Sequence, residues 1–153
     1  MIVVIATLVG IVAGLRAMTA PAGMSWAAYF GWLPLQNTYL SFLGFAATPY
    51  LLTAPAIAEL ISDQLPKTPS RKTPVQFGSR LVTGGLCGAA VGMSGGVMIY
   101  GLAAGLVGAV IGTFAGAAVR MRLAKALGRD LPAALVEDVV AVGGVALIVA
   151  ALT

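Results

Sequence analysis

Residues 81–119 read LVTGGLCGAAVGMSGGVMIYGLAAGLVGAVIGTFAGAAV, 39 positions without one charge. A membrane-spanning helix needs about 20 mostly apolar residues. The run is long enough for two such helices with a tight turn near 94–101. Its glycines support that division. Gly84, Gly88, Gly92 and Gly96 recur every four residues in the first half, and Gly108, Gly112 and Gly116 do so in the second, after Gly101 and Gly105. Rows at that spacing lie on one helix face and let another backbone approach closely. Gly10 and Gly14 form one further pair. The expectation is a close contact between the third and fourth helices within one chain. The same Gly-rich faces leave room for a homodimer.

Outward from this run lie the cations. Lys67, Arg71, Lys72 and Arg80 precede it, and Arg120, Arg122, Lys125 and Arg129 follow it. Beyond them, residues 2–15 and 133–152 are further apolar segments, and 17–58 are uncharged but broken by Pro21, Pro34, Pro49 and Pro55. The reading is an all-α, polytopic transmembrane helix bundle forming a single domain over 1–153. Five spans are expected, at about 2–20, 39–63, 79–96, 100–121 and 133–152. The first is read as retained, because no basic segment precedes it as in a signal peptide. Eight of the nine cations then fall in two alternate loops, and the other two loops hold no Lys or Arg. The positive-inside rule puts those basic loops in the cytoplasm, with the N-terminus inside and the C-terminus outside.

Composition agrees. Of 153 residues, 59% are hydrophobic and 9% charged, with a mean hydropathy of +0.99. Soluble domains carry about 25% charged residues. A soluble enzyme, a nucleic-acid module and a disordered chain are excluded, and the net charge of +4 reflects loop cations rather than a nucleic-acid face. There is no histidine, and the lone Cys87 reads as a small buried hydrophobe. No nucleophile or metal motif is present, so no catalytic residue, metal or cofactor is expected and the chain is not read as an enzyme.

Trp26, Tyr29, Trp32, Tyr39 and Tyr100 fall in or beside the expected outer loops, where amphipathic rings favour the interface. Residues 24–33 read as a short helix in that interface, or as a re-entrant piece dipping between spans. The inner loop 64–79, with three prolines, should be extended. Its Lys67, Arg71 and Lys72 are candidates for anionic lipid headgroups, each worth about 1 kcal/mol. In the second basic loop Gly128 can close one helix, Asp130 can cap the next and Pro132 suits its first turn.

Charges at membrane depth are the candidate functional residues, since each costs roughly 2.5–3.5 kcal/mol at a helix centre. They are Arg16, Glu59, Asp63, Glu137 and Asp138. Arg16 is expected near the outer end of the first span, either snorkelling to headgroups or facing a polar cavity. Glu59 and Asp63 share a helix face, repel each other and oppose the helix dipole. They need compensation, for which Lys67 can pair with Asp63. Glu137 and Asp138 open the last span, about 100° apart, so both are not expected in one narrow cavity; Arg122 or Arg129 can be their neighbour.

Gly14-Leu15-Arg16, the segment from Glu59 through Asp63 to Pro66, and Leu135-Val136-Glu137-Asp138 together resemble the domain-of-unknown-function 4126 family of bacterial membrane proteins. The family pattern often has a Lys after the Asp, where this chain has Gln64. The resemblance implies a bacterial inner-membrane location and candidate residues, and brings no established activity. A weak inverted repeat is suggested by the likeness of Gly10–Gly14 to Gly112–Gly116, because the fourth of five spans runs opposite to the first.

Two functions follow as expectations. One is a small transporter or channel for a proton, a cation or a small polar solute. The other is a non-transporting membrane scaffold or lipid-binding protein.

Overall fold

The computed structural model describes residues 1–65 and 72–153. The expectations for Lys67 and Arg71 lie outside the described residues. Those residues are all-helical apart from turns. The helices are α1 (Ile2–Leu15), α2 (Thr19–Tyr29), α3 (Thr48–Ser62), α4 (Pro74–Ser94), α5 (Met98–Leu127) and α6 (Asp130–Leu152), with one 3-10 turn at Ser41–Gly44 between α2 and α3. α5 and α6 are long and apolar enough to cross a membrane; α1 is apolar but shorter.

Helix boundaries follow local chemistry. Pro49 and Pro74 stand in the first turns of α3 and α4, where a missing N–H costs nothing. Thr73 is extended before Pro74, as a pre-proline residue prefers. Helix α4 therefore begins inside the loop expected to be extended to 79. Gly128 adopts a left-handed φ of +67° and closes α5, as expected. Asp130 is the first residue of α6 rather than its cap, because its carboxylate is held by Arg120.

The centre is a trio of helices in near-backbone contact. A methyl group on Gly88 would strike the Gly101 carbonyl and Gly105 of α5, and one on Gly92 would meet Val97 and Gly101. One on Gly10 of α1 would strike Gly105, and one on Gly14 would strike Ala109 and Gly112. Gly108 and Gly112 in turn lie against Thr7 and Ile11. Most of the expected glycine row is thus interfacial within the chain, and Gly105 serves two partners. Gly96 is the exception: it lies in the α4–α5 turn at φ +73° with open space beside it. Gly116 is buried on α5.

These contacts set directions. Gly84 lies against Ala109 and Gly92 against Gly101, so α4 and α5 are antiparallel. Gly10 meets Gly105, Gly14 meets Gly112 and Ile2 meets Gly95, so α1 runs parallel to α5. Val12 meets Gly144 while Arg16 meets Asp138, so α6 runs against α1. Both chain termini therefore lie at one end of the bundle, and the α3–α4 and α5–α6 connections lie at the other.

This corrects the expected N-in, C-out arrangement, which needs termini at opposite ends, and the inverted repeat, which needs α1 opposed to α5. The cause is a reversal at residues 16–18. Arg16 is extended (φ −139°, ψ 112°), and the chain returns as α2. The expected first span, 2–20, is two helices. The expected interfacial helix at 24–33 is instead the second half of a helix that buries Ala20, Met24 and Ala27 and packs Gly23 on Val145 of α6. Its small side chains allow that close fit. Helix α3 then ascends again, beginning at Thr48 rather than 39. Trp26, Tyr29, Phe30 and Tyr50 stack together beside the α2–α3 connection.

Candidate functional site

All five acids of the chain converge with three arginines at the end bearing the basic connections. Arg16 is at the centre, with 0% of its side chain exposed. Its Nε donates to Asp138 Oδ1 at 2.7 Å, its guanidinium pairs with Asp63, and Nη2 lies 3.9 Å from Glu137 Oε2. Arg120 of α5 donates Nε and Nη2 to both oxygens of Asp130, at 3.0 and 2.6 Å. The same guanidinium reaches the Asp63 carbonyl at 3.1 Å and Glu137 at 3.5 Å. Gln64 Nε2 donates to Asp138 Oδ2 at 3.2 Å.

A second cluster covers the reversal itself. The break leaves the last carbonyls of α1 and the N–H groups of Ala17 and Met18, just ahead of α2, without partners inside a helix. Arg80 Nη1 donates to the carbonyls of Gly14 and Leu15, both at 2.6 Å. Glu59 accepts from the N–H of Ala17 at 2.9 Å and of Met18 at 2.8 Å. A cation thus sits on the negative end of α1 and an anion on the positive end of α2, each favoured by the helix dipole. Arg80 and Glu59 approach each other at 3.8 Å, which ties α3 and α4 to the break.

The five sequence candidates are therefore brought together, with three departures from expectation. Arg16 was expected at the end opposite the carboxylates and lies among them, because the chain reverses directly after it. Glu137 and Asp138 both reach Arg16, since a guanidinium between them presents N–H donors on two sides. Asp63 follows the last turn of α3 and pairs with Arg16 and Arg120; its expected partner Lys67 lies outside the described residues. Lys72 has its ammonium 5.9 Å over the Phe114 ring. Cys87 is buried.

Sequence reading missed Arg80 and Arg120 as site residues, treating them as loop cations. One signal was present: Thr73-Pro74 marks a helix start, which puts Arg80 nearly two turns inside α4.

Beside the break lies a cavity of about 550 Å³ between α3, α4 and the α1–α2 turn. Its wall carries Glu59, Asp63, Ser62, Gln76 and Ser79 together with apolar residues such as Met18 and Pro55. Among the described residues Glu59 and Asp63 are its charged ones, exposed by 14% and 12%. Arg16 and Arg80 stand behind them and do not line it.

Comparison with protein-family models, curated proteins and solved structures finds no match for this chain.

Proposed function

We propose that this chain is a small integral membrane transporter or channel, and that the cavity at Glu59 and Asp63 is its solute site. The observation that carries the reading is the cavity's charge: among the described residues two carboxylates face it, with Arg16 and Arg80 buried behind them. Such a wall selects for a proton, a cation or a small polar solute carrying positive charge.

The membrane setting rests on the apolar exterior. Ile99, Val107 and Phe114 of α5 and Val139 and Leu147 of α6 are exposed. Arg16 lies 14 residues beyond Ile2, roughly 21 Å along the axis, against a hydrocarbon core of about 30 Å. The ion network then sits inside the membrane, in the third nearest the basic connections. The positive-inside rule places those connections in the cytoplasm and both termini outside. Helices α1, α4, α5 and α6 cross, while α2 and α3 form a shorter re-entrant pair. Transporters commonly build sites from such broken helices, whose ends face the solute. The bacterial inner membrane, implied by the resemblance to the domain-of-unknown-function 4126 family, is the proposed location. The lipid-binding alternative leans on Lys67, Arg71 and Lys72, of which Lys67 and Arg71 lie outside the described residues.

The test is flux in proteoliposomes of purified protein. Proton and potassium flux, read with pH- and potential-sensitive dyes, is expected to fall at least about tenfold in Glu59→Gln with Asp63→Asn, the loss of both charges. Flux equal to that of the unaltered protein removes the assignment.

A further inference from the structure

The cavity is larger and more apolar than a bare ion requires. Liquid water takes about 30 Å³ per molecule, so about 550 Å³ far exceeds what one hydrated alkali ion needs. It falls instead within the roughly 300–1,000 Å³ range of organic-ligand sites. Met18, Pro55, Ala58 and Leu65 supply an apolar wall.

The carboxylates are also poorly arranged for a small ion. Each oxygen of Glu59 already takes a backbone N–H, from Ala17 and Met18, and Asp63 faces the guanidiniums of Arg16 and Arg120. A metal ion or alkali ion needs several oxygens turned toward it at short range. A diffuse organic cation needs only a negative field and an apolar surface. Among the described residues Glu59 and Asp63 are the charged groups of the wall, and a carboxylate that is mostly shielded from water attracts a cation more strongly than an exposed one.

Resting on the transport reading above, we infer that the solute is an organic cation with an apolar body, of the alkylammonium or arylphosphonium type, seated with its charge toward Glu59 and Asp63 and its body against Met18, Pro55, Ala58 and Leu65. Ser62, Gln76 and Ser79 add polar groups to the wall.

The experiment measures equilibrium binding of radiolabelled tetraphenylphosphonium to the purified full chain in detergent, with excess unlabelled probe defining the saturable part. Saturable binding is expected, and it should weaken at least about tenfold in Glu59→Gln, the loss of one charge contact. Ala58→Phe fills the cavity, leaves both carboxylates in place, and should lose binding to a similar extent. That second variant keeps the test decisive if Glu59→Gln does not elute as a single folded species. Tetraphenylborate, of the same shape and opposite charge, should not displace the probe. Absence of saturable binding, equal displacement by tetraphenylborate, or unchanged binding in Ala58→Phe overturns the inference. If potassium or proton flux depends on Glu59 while tetraphenylphosphonium does not bind, this inference fails and the transport reading stands. If neither flux nor binding depends on Glu59 and Asp63, both fail.

Discussion

At Gly88 and Gly101, α4 and α5 meet backbone to backbone, and at Gly10 and Gly105 α1 joins them in the same way. Helix α3 is attached differently. Of its 15 residues only Pro49 and Ala56 are buried, while Tyr50, Leu51, Ile57 and Ile61 are exposed. Beyond its packing on α2, it is anchored at its far end by charge: Glu59 on the α2 N-terminus, Asp63 on Arg16 and Arg120, and Gln64 on Asp138. One region is held by dispersion and shape, which a solute cannot alter. The other is held by polar contacts in a cavity wall, which a cation or a proton can compete with. The difference teaches where a moving part would be found.

The largest expected effect comes from removing the hub of the charged region. Arg16→Met leaves Asp63, Glu137 and Asp138 facing one another with a buried partner gone. Breaking a buried ion pair from one side costs about 3–5 kcal/mol. Chemical unfolding in detergent should show a loss of that size. Adding Asp138→Leu to Arg16→Met should recover part of it, since the stranded charge is removed as well. A loss under about 1 kcal/mol for Arg16→Met would show that the network is wet enough to screen itself.

Next comes the glycine trio. A side chain at Gly105 meets the Gly84 carbonyl and the Gly88 backbone, which cannot step aside as a flexible side chain can. Gly105→Val should cost about 1–3 kcal/mol or more, the range for overpacking a tight core. Gly143 on α6 has open space beside it. There Gly143→Ala should be neutral or stabilising, by up to about 1 kcal/mol from helix propensity. The pair of variants, read by thermal unfolding, separates close packing from glycine content. Equal effects would remove the argument from backbone contact.

The α4–α5 contact was legible in the sequence because period-four glycines report a helix face directly; that α1 joins it was marked only by the pair Gly10 and Gly14. The set of acids was legible too, because a charge in an apolar run stands out. What was not legible is the reversal after Arg16. Eight of residues 17–29 are alanine, glycine, serine or threonine, so the segment lacks the hydropathy that marks a full span. Pro21, which reads as a breaker, sits in the first turn of α2 where proline is tolerated. With that reversal missed, Arg16 landed at the wrong end and α1 opposed α5. Arg80 and Arg120 were hidden for another reason. Counting cations by loop sorts them by topology and says nothing about which face of the next helix they occupy.

The smallest expected effect in energy is the most informative about the contrast. Glu59→Gln keeps the shape and one acceptor for the Ala17 and Met18 N–H groups but loses the charge on the α2 N-terminus. Replacing a helix cap typically costs about 1 kcal/mol, too little to unfold the protein. Its consequence should be local. Amide hydrogen exchange, which reads regional opening, is expected to be faster in α3 than in α4 and α5 even in the unaltered chain. Glu59→Gln should speed exchange in α2 and α3 and leave the α1–α4–α5 trio unchanged. Gly105→Val should do the opposite, loosening the trio first. If Glu59→Gln accelerated exchange evenly across all six helices, the charged contacts would be part of one cooperative unit, and α3 would lose its standing as a separately released element.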